Sequence, residues 1–392
     1  MCFVWLVALF PPPDTARLIF GGADNPAART AARWSSACNG VQCFVCPFKC
    51  FLPEGMRGRC RVRLNSGGEL KTLVYGGAVS AHIDPIEKKP VFHMLPGSWI
   101  YSIATAGCNL RCKACQNWEI SQIYPEQAEK SILVPTGLDI VPVPGSPGMA
   151  SVQLKTEPKS WLPPEDVVNY ALAARSKSIA YTYSEPIVFY EYVRDTAALA
   201  RKRGLKNVLV TGGYANPAAF KALIKDFDVV KIDLKGFDEK FYSGYVGGEL
   251  ENVKRAMLAA KETGIQLEIV NLVIPGLNDS EASITALCRW VKDNLGADTP
   301  LFFSRFGPNY KLANLPPTPV ETLERARNSA IKAGLRFVYV GNLPGGAGET
   351  TFCPKCGKPL IVRYGYRVLQ DVVTPSGGKC PYDGTPIPGI WK

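Results

Sequence analysis

One short run of the sequence, GCNLRCKACQN, holds three cysteines in a C-x3-C-x2-C spacing: Cys108, Cys112 and Cys115. Three thiolates on one loop can ligate three irons of a 4Fe-4S cube, whereas a closed cluster needs four cysteines. The fourth iron is then open to a small molecule, so the fold has to bring other polar groups to this loop. A fragment of a zinc site or a group of cytosolic thiols is the alternative that the spacing alone leaves open.

Length and cysteine usage limit the class of protein. A chain of 392 residues with 46% hydrophobic content is long enough for one barrel-sized domain and two small appendages. Its thirteen cysteines fall in CxxC-type groups, in a chain too long for a small secreted disulfide scaffold. We therefore expect metal binding in a reducing compartment, the cytoplasm. The formal net charge of +11 suits an acidic partner, and an ordinary basic surface accounts for it equally well.

The N-terminal run MCFVWLVALFPPP is apolar for ten positions and then reaches three prolines. Ten residues are too few to span a bilayer and no positive segment precedes them, so we expect no membrane anchor. Residues 1–36 are predicted to be a disordered leader or an upstream start of the reading frame.

A second group of cysteines follows this leader. Four of them form C-x2-C-x3-C-x9-C: Cys43, Cys46, Cys50 and Cys60. Four soft ligands can close a tetrahedral zinc site or an auxiliary iron-sulfur cluster, and the spacing does not decide between the two metals. Cys38 is then a spare thiol. Short strands with glycine turns predict a small Cys-rich β module over residues 37–96. We expect its two histidines, His82 and His93, to pack or hydrogen-bond rather than to bind metal.

Strand-like and helix-like runs alternate over residues 97–345. Apolar strands such as NVLVTGG, VVKIDLKG and QLEIVNLVIPG are separated by helical stretches such as PAAFKALIKDF. Six repeats of this kind predict an α/β fold, a partial (β/α)6 barrel whose chemistry lies at the carboxyl ends of the parallel strands. Residues 123–161 are rich in proline and glycine and predict an irregular insertion, either a lid over the cluster or a surface loop.

The last segment, residues 346–392, contains CPKC and CPYD, which place together Cys353, Cys356, Cys380 and Asp383. The spacing is that of a zinc-ribbon or rubredoxin-like site, except that Asp383 stands where a fourth cysteine is expected. Because a carboxylate can ligate zinc, we expect a third metal site here for zinc or iron. An empty or labile site is the alternative.

The central cysteine run and the strand ends together resemble the radical S-adenosylmethionine (SAM) enzymes. In that superfamily the amino and carboxylate groups of SAM bind the open iron, and an electron from the cluster breaks a C–S bond to give a 5'-deoxyadenosyl radical. The resemblance implies a 4Fe-4S cluster on Cys108, Cys112 and Cys115, with SAM as the second cofactor.

The resemblance also implies SAM contacts at successive strand ends. Glu185 in TYSEP stands where these enzymes present a carboxylate to the SAM amino group. Asp233 and Lys235 in IDLK resemble the DLK motif of glycyl-radical activating enzymes, near the SAM carboxylate. The other implied contacts are Tyr183, Ser184, Thr211, Gly213, Asn216, Ile274, Gly276, Asn278 and Arg305. Each motif alone is weak, and their order along the strands strengthens the resemblance.

CQNWEISQ, PIEKKPVFHMLPGS, RFGPNYKL, VYVGN and TFCPKCGKPLIVRYGY resemble the AmmeMemoRadiSam-system branch of radical SAM enzymes, over residues 38–392. This branch is related to pyruvate formate-lyase activating enzymes. The resemblance implies hydrogen abstraction from an unidentified substrate, a low-potential donor such as ferredoxin or flavodoxin, and Memo-like and AMMECR-type partner proteins.

Two other functions remain open. One is an activase that installs a glycyl radical on a partner protein. The other is a non-catalytic Cys-rich protein that binds zinc and nucleic acid. The sequence shows no clear stripe of interleaved aromatic and basic residues, so nucleic acid is not an expected partner.

Overall fold

The structure, a computed structural model, describes residues 27–129, 131–142 and 150–392. Two small antiparallel sheets come first. Their strands are β1 Arg29–Thr30, β2 Trp34–Ala37, β3 Gly40–Cys43, β4 Phe51–Leu52, β5 Arg63–Ser66 and β6 Glu69–Thr72. β1 and most of β2 lie within the predicted leader, so that part of it is ordered. The prediction for residues 1–26 lies outside the described residues.

An eight-stranded sheet forms the middle of the molecule. The next ten strands are β7 Ala78–Pro85, β8 Trp99–Thr105, β9 Ile132–Pro142, β10 Ala150–Lys159, β11 Ser178–Tyr181, β12 Lys206–Thr211, β13 Val229–Asp233, β14 Gln266–Val273, β15 Leu301–Arg305 and β16 Val338–Gly341. The sheet order is β16-β15-β14-β13-β12-β11-β8-β7, and all neighbours are parallel except β7 and β8. The predicted α/β fold with a mostly parallel sheet is confirmed. Its parallel part has seven strands, one more than the six predicted repeats.

Helices cover this sheet, as a parallel sheet buried on both faces requires. They are α1 Trp118–Ser121, α2 Pro164–Ala173, α3 Tyr190–Lys202, α4 Pro217–Ile224, α5 Glu239–Phe241, α6 Leu250–Glu262, α7 Glu281–Leu295 and α8 Val320–Lys332. Ser280 caps α7 by accepting the Ser283 N–H at 3.3 Å, and Leu287 and Val291 of α7 are fully buried. No helix in the described part of the chain is long and apolar enough to cross a membrane.

The central sheet curves. β8 and β16 are six strand positions apart, which is about 29 Å in a flat sheet at about 4.8 Å per strand. Yet Cys115, which follows β8, and Asn342, which follows β16, line the same cavity. The carboxyl ends of the strands therefore converge on one place, as a partial barrel requires.

The insertion is a regular β-ribbon, so the prediction of irregular structure is wrong. β9 and β10 pair antiparallel from Ile132 opposite Lys159 to Pro142 opposite Ala150, with a bulge at Lys155 and Thr156. β9 packs against β7 and α2. None of the described ribbon residues lines the cavity beside the cysteine loop, so they do not act as its lid.

A three-stranded antiparallel sheet ends the chain, with β17 Thr351–Phe352, β18 Pro359–Tyr364 and β19 Arg367–Asp371. It packs on the central sheet through an apolar cluster that includes Phe92, Phe302 and Leu360. His93 lies at this junction, fully buried, with Nε2 2.7 Å from the Tyr339 hydroxyl. The expectation that His93 packs and hydrogen-bonds is confirmed.

Candidate active site

The central cysteines lie on the loop that follows β8. Gly107 opens this loop with φ of +94°, and a Cβ at this position would come within 2.5 Å of a Val62 methyl group. Glycine is therefore required where the loop crosses the N-terminal module. Farther along, the Arg111 N–H donates to the Val246 carbonyl at 2.8 Å, which ties the loop to the segment before α6.

Polar groups surround the sulfur atoms of this loop. The Leu110 N–H donates to Cys108 Sγ at 3.3 Å, and the Ser121 hydroxyl lies 3.2 Å from Cys115 Sγ. Burial raises the pKa of the Cys112 thiol to about 11. A buried thiol becomes a thiolate at neutral pH only when a cation compensates it, and a metal ion is the strongest such cation.

A cavity of about 260 Å³ opens directly beside the three cysteines. Six of the predicted SAM contacts line it: Tyr183, Ser184, Glu185, Asp233, Lys235 and Ile274. The Ser184 hydroxyl is buried and has no hydrogen-bond partner among the described residues. A buried hydroxyl without a partner is costly, so its position at this cavity suits a polar ligand.

Glu185 is the buried carboxylate of this cavity. It accepts hydrogen bonds from the Thr211 hydroxyl at 2.6 Å, from the Gly212 N–H at 2.9 Å and from the Ile187 N–H at 3.1 Å. Burial raises the pKa of Glu185, and these three donors act in the opposite direction. An ionised carboxylate offers about four acceptor sites, so one remains for a donor in the cavity.

Asp233 lies between two lysines at the end of β13. Its carboxylate is 2.7 Å from Lys235 Nζ and 3.3 Å from Lys231 Nζ. Burial acts to raise the pKa of Asp233, but Lys235 and Lys231 outweigh it and lower the pKa to about 2. Lys235 lines the same cavity as Cys112, so this ammonium lies near the place where cluster charge would lie.

The other predicted SAM contacts do not line the cavity: Thr211, Gly213, Asn216, Gly276, Asn278 and Arg305. Thr211 acts through Glu185. Asn216 caps α4, and Asn278 accepts the Ile274 N–H at 2.7 Å. Arg305 donates to the Thr318 carbonyl at 2.9 Å. These contacts hold the strand ends and the loops that follow them.

Several cavity residues were not predicted from sequence, among them Lys88, Pro90, Lys231, Ser304 and Asn342. Lys231 could have been predicted as a cavity residue. Residues two apart on a strand point to the same face, and Asp233 was already predicted to contact SAM. Lys88 and Pro90 lie between β7 and β8 in the run PIEKKPVFHMLPGS, which carried the family resemblance but was not assigned to this site.

The C-terminal cysteines form a compact ligand set. The ligand atoms of Cys353, Cys356, Cys380 and Asp383 all lie within 4.8 Å of one another. Cys356 Sγ is 3.8 Å from Cys380 Sγ, and Cys353 Sγ is 3.5 Å from an Asp383 oxygen. A tetrahedral zinc ion with Zn–S bonds of about 2.3 Å holds its sulfurs about 3.8 Å apart. These residues can therefore hold a metal ion, with Asp383 as the fourth ligand.

The N-terminal cysteines surround a small cavity of their own. Cys43, Cys46, Cys50 and Cys60 line it, together with Arg63 and with Asn109 of the central loop. No three of their sulfur atoms lie within 4.8 Å of one another, since the C-terminal set is the only one in the described residues that does so.

Comparison with known proteins matches the central part of the chain to a known family. The family described as the Radical SAM superfamily matches residues 102–287. An uncharacterized protein of Methanocaldococcus jannaschii is 42% identical over 326 residues, which are 83% of this chain and 88% of that protein. The pyruvate formate-lyase-activating enzyme of Clostridium pasteurianum is 23% identical over 115 residues, 29% of this chain and 48% of that enzyme. A radical SAM methyltransferase structure from Sphaerobacter thermophilus has a TM-score of 0.44 at 15% identity, covering 67% of this chain and 74% of that one.

Proposed function

Because this chain belongs to the radical SAM superfamily, we propose that it cleaves SAM reductively at a 4Fe-4S cluster held by Cys108, Cys112 and Cys115. When bound, the cluster supplies one electron and SAM supplies a 5'-deoxyadenosyl radical, which abstracts hydrogen from the substrate. One observation carries the proposal: the three thiols open onto a cavity that also presents a buried carboxylate and an ammonium group. Superfamily membership favours an enzyme over a non-catalytic Cys-rich binding protein.

The chain's own residues have separable roles in this proposal. The three cysteines ligate three irons and leave the fourth iron to the SAM amino and carboxylate groups. Glu185 accepts a hydrogen bond from an N–H of the SAM amino group through its one remaining acceptor site, and Ser184 offers a hydroxyl that has no other partner among the described residues. Lys235 lines the same cavity as Cys112 and compensates the negative charge of the ligands.

The substrate is proposed to enter beside β14, β15 and β16, the strands of the parallel part that lie farthest from β11 and Glu185 in the sheet order. Val270 and Leu272 supply an apolar wall there, and Ser304 and Asn342 supply polar groups. The electron donor is proposed to be a low-potential ferredoxin or flavodoxin, since an acidic donor suits the net charge of +11. Membership in the AmmeMemoRadiSam-system branch, with Memo-like and AMMECR-type partners, belongs to the same proposal and rests on the sequence motifs.

A glycyl-radical activase is the second candidate. Two observations favour it: the Asp233–Lys235 run lies at the cavity, as in the DLK motif, and the chain is similar to a pyruvate formate-lyase-activating enzyme over 115 residues. Electron paramagnetic resonance (EPR) of a candidate partner protein after incubation would detect a glycyl radical. A radical on the partner selects the activase, and turnover of a small molecule without one selects the first proposal.

Anaerobic reconstitution with iron and sulfide tests the common chemistry. The full chain, supplied with SAM and dithionite, is expected to release 5'-deoxyadenosine and methionine in equal amounts. Omission of dithionite should stop both products. A reconstituted chain that carries its cluster and forms no 5'-deoxyadenosine would contradict the proposal.

A further inference from the structure

We propose that Cys43, Cys46, Cys50 and Cys60 hold a second iron-sulfur cluster, fully ligated by cysteine, and not a single zinc ion. This inference goes beyond the proposed function and does not depend on SAM cleavage. It rests on the spacing of the four thiols, on the donors around them, and on a buried cation that faces them.

The spacing of the thiols separates the two metals. A single tetrahedral ion draws its ligands together, as the C-terminal set shows with all four ligand atoms within 4.8 Å. No three of the N-terminal sulfurs approach one another that closely. In an iron-sulfur cluster each cysteine ligates a cluster iron, and bridging sulfides lie between the irons, so the cysteines stand farther apart than around one ion. The wider set therefore favours a cluster.

Backbone N–H groups lie close to these sulfurs, as they do on the central loop that carries Cys108, Cys112 and Cys115. The backbone N–H groups of Val45, Phe48 and Val62, each two residues beyond a cysteine, lie near the sulfurs of Cys43, Cys46 and Cys60. On the central loop the Leu110 N–H donates to Cys108 Sγ at 3.3 Å. Hydrogen bonds to the sulfurs tune the reduction potential of iron-sulfur clusters. The N-terminal thiols thus have the surroundings of ligands rather than of ordinary packed cysteines.

One backbone position lies close to two of the four thiols. Gly58 lies beside them, and a Cβ at this position would come 3.6 Å from Cys60 Sγ and 3.8 Å from Cys50 Sγ. Gly58 is held there by its N–H, which donates to the Arg63 carbonyl at 2.9 Å. A Cβ on residue 58 would stand in ordinary van der Waals contact with both sulfurs, so the backbone of Gly58 lies directly beside these two thiols.

Arg63 supplies donors that nothing else in the described structure uses. Its side chain lines the cysteine cavity and is almost fully buried, with the residue 2% exposed. Nη2 binds both oxygens of Glu191, at 2.8 and 3.0 Å, but Nε and Nη1 have no hydrogen-bond partner among the described residues. Unpaired donors on a buried guanidinium are costly. An iron-sulfur cluster carries acceptor sulfides and net negative charge, and it would satisfy both needs.

The N-terminal cavity adjoins the catalytic loop. Asn109, the residue after Cys108, is 1% exposed and lines this cavity. Its side chain donates to the Tyr214 carbonyl at 2.8 Å. Arg59, which also lines the cavity, donates from Nε to the Asn109 carbonyl at 3.2 Å. One residue of the catalytic loop is therefore part of the second site.

Metal and sulfide analysis of the full chain tests this site apart from SAM chemistry. The background is the triple variant Cys108→Ala, Cys112→Ala and Cys115→Ala, reconstituted anaerobically with ferrous iron and sulfide. We expect about two or four acid-labile sulfides per chain with an equal amount of iron, apart from the single metal ion that the C-terminal set can hold, and a cluster EPR signal after reduction with dithionite. A folded variant that binds metal but contains no labile sulfide and gives no cluster signal would overturn the proposal.

Two further variants locate the cluster. Adding Cys46→Ser to the triple variant should remove the sulfide and the EPR signal. Adding Cys38→Ser should preserve both, because Cys38 is exposed and does not line the cavity. Metal retained by the C-terminal set reports that each variant is folded. If Cys46→Ser does not fold, the metal and sulfide content of the triple variant still decides between a cluster and an ion. Sulfide that survives Cys46→Ser in a folded chain would assign the cluster elsewhere.

Discussion

The central cysteine loop and the C-terminal cysteine set present the same ligand in two arrangements. The C-terminal set brings three sulfurs and a carboxylate within 4.8 Å of one another, and its Cys356 is exposed. None of its four residues lines the cavity beside the central cysteine loop. On the central loop the three sulfurs are spread more widely and face a cavity built from the ends of several strands. A compact set suits one closed ion, whereas a spread set beside open space suits a cluster with an exchangeable ligand.

The comparison teaches that cysteine count does not assign function. What differs is the surroundings: Glu185, Asp233 and Lys235 stand around the central loop, and the C-terminal set has its own short turns. At the C-terminal end the Thr385 N–H donates to Asp383 at 3.0 Å, and the Cys356 N–H donates to Cys353 Sγ at 3.5 Å. The C-terminal set is thus assembled from local contacts. The central site is assembled from residues that follow several different strands of the sheet.

The sharpest test of this comparison is Cys112→Ala. Loss of one iron ligand should abolish 5'-deoxyadenosine formation, since three thiolates are the minimum for this cluster. Metal at the C-terminal set should be unchanged, as measured by elemental analysis. Cys288→Ala is the control, because Cys288 is also a free thiol but is buried in α7, outside all three sets. Full activity of Cys112→Ala would contradict the assignment.

The reverse change is Cys353→Ser. It removes a ligand from the compact set, so we expect loss of the C-terminal ion and a lower melting temperature, because metal binding and folding are linked. The rate of SAM cleavage per reconstituted cluster should stay at the parent value. A strong fall in that rate with the cluster intact would show that the two regions are coupled.

A smaller effect is expected for Glu185→Gln. Exchange of the carboxylate for an amide keeps the size of the side chain but removes the charge that strengthens its hydrogen bond to the SAM amino group, which costs about 1.5–3 kcal/mol, roughly tenfold to a hundredfold in Kd. Equilibrium binding of SAM to the reconstituted protein measures it. A SAM analogue without the amino group should bind parent and variant alike. Equal SAM affinity would place the ammonium elsewhere.

The smallest expected effect is on the pH dependence of stability. It concerns Glu268, which lies at the junction between the central sheet and the C-terminal module. Burial raises the pKa of Glu268 to about 7, although the N–H groups of Phe92 and His93, together with Lys231 and Arg363, act to lower it. The folded state therefore binds this proton more tightly than the unfolded state, whose pKa is the ordinary value of 4.5. This contribution to stability is complete below pH 4.5 and is lost as the pH rises through about 7.

Glu268→Gln should accordingly flatten the pH dependence of the free energy of unfolding in that window, as followed by chemical denaturation. SAM cleavage measured at one pH should change little, because Glu268 does not line the cavity. An unaltered slope in the variant would mean that Glu268 does not titrate there.

Much of the fold could be predicted from local patterns. The strands β11 to β15 are apolar runs that end in Gly, Pro, Ser or a charged residue, and such runs also carried the prediction of Glu185 and Asp233 at their carboxyl ends. The ribbon was missed because its prolines suggested irregular structure. A two-stranded ribbon has only edge strands, which tolerate prolines such as Pro135 and Pro158 since those positions need not donate to a ladder.

The site was predicted less completely than the fold. Asn216 was assigned to SAM, yet it precedes Pro217 and caps α4, which is the usual role of Asn before a proline at the first helical position. Lys88 reaches the cavity from a segment more than 90 residues before Glu185 in the chain. No local pattern predicts such a contact, because it depends on the pairing of β8 with both β7 and β11, strands that are distant in sequence.

By itself the sequence determined which thiols share a loop, since C-x3-C-x2-C and C-x2-C spacings keep cysteines close whatever the rest of the chain does. Only the tertiary structure decided how far apart the sulfurs stand and what faces them. Those quantities depend on packing between distant segments: Gly58 beside Cys50 and Cys60, and Arg63 held by Glu191 from α3 with two donors still free. The number of residues between two cysteines limits how far apart their sulfurs can lie, and packing between distant segments fixes the actual distance.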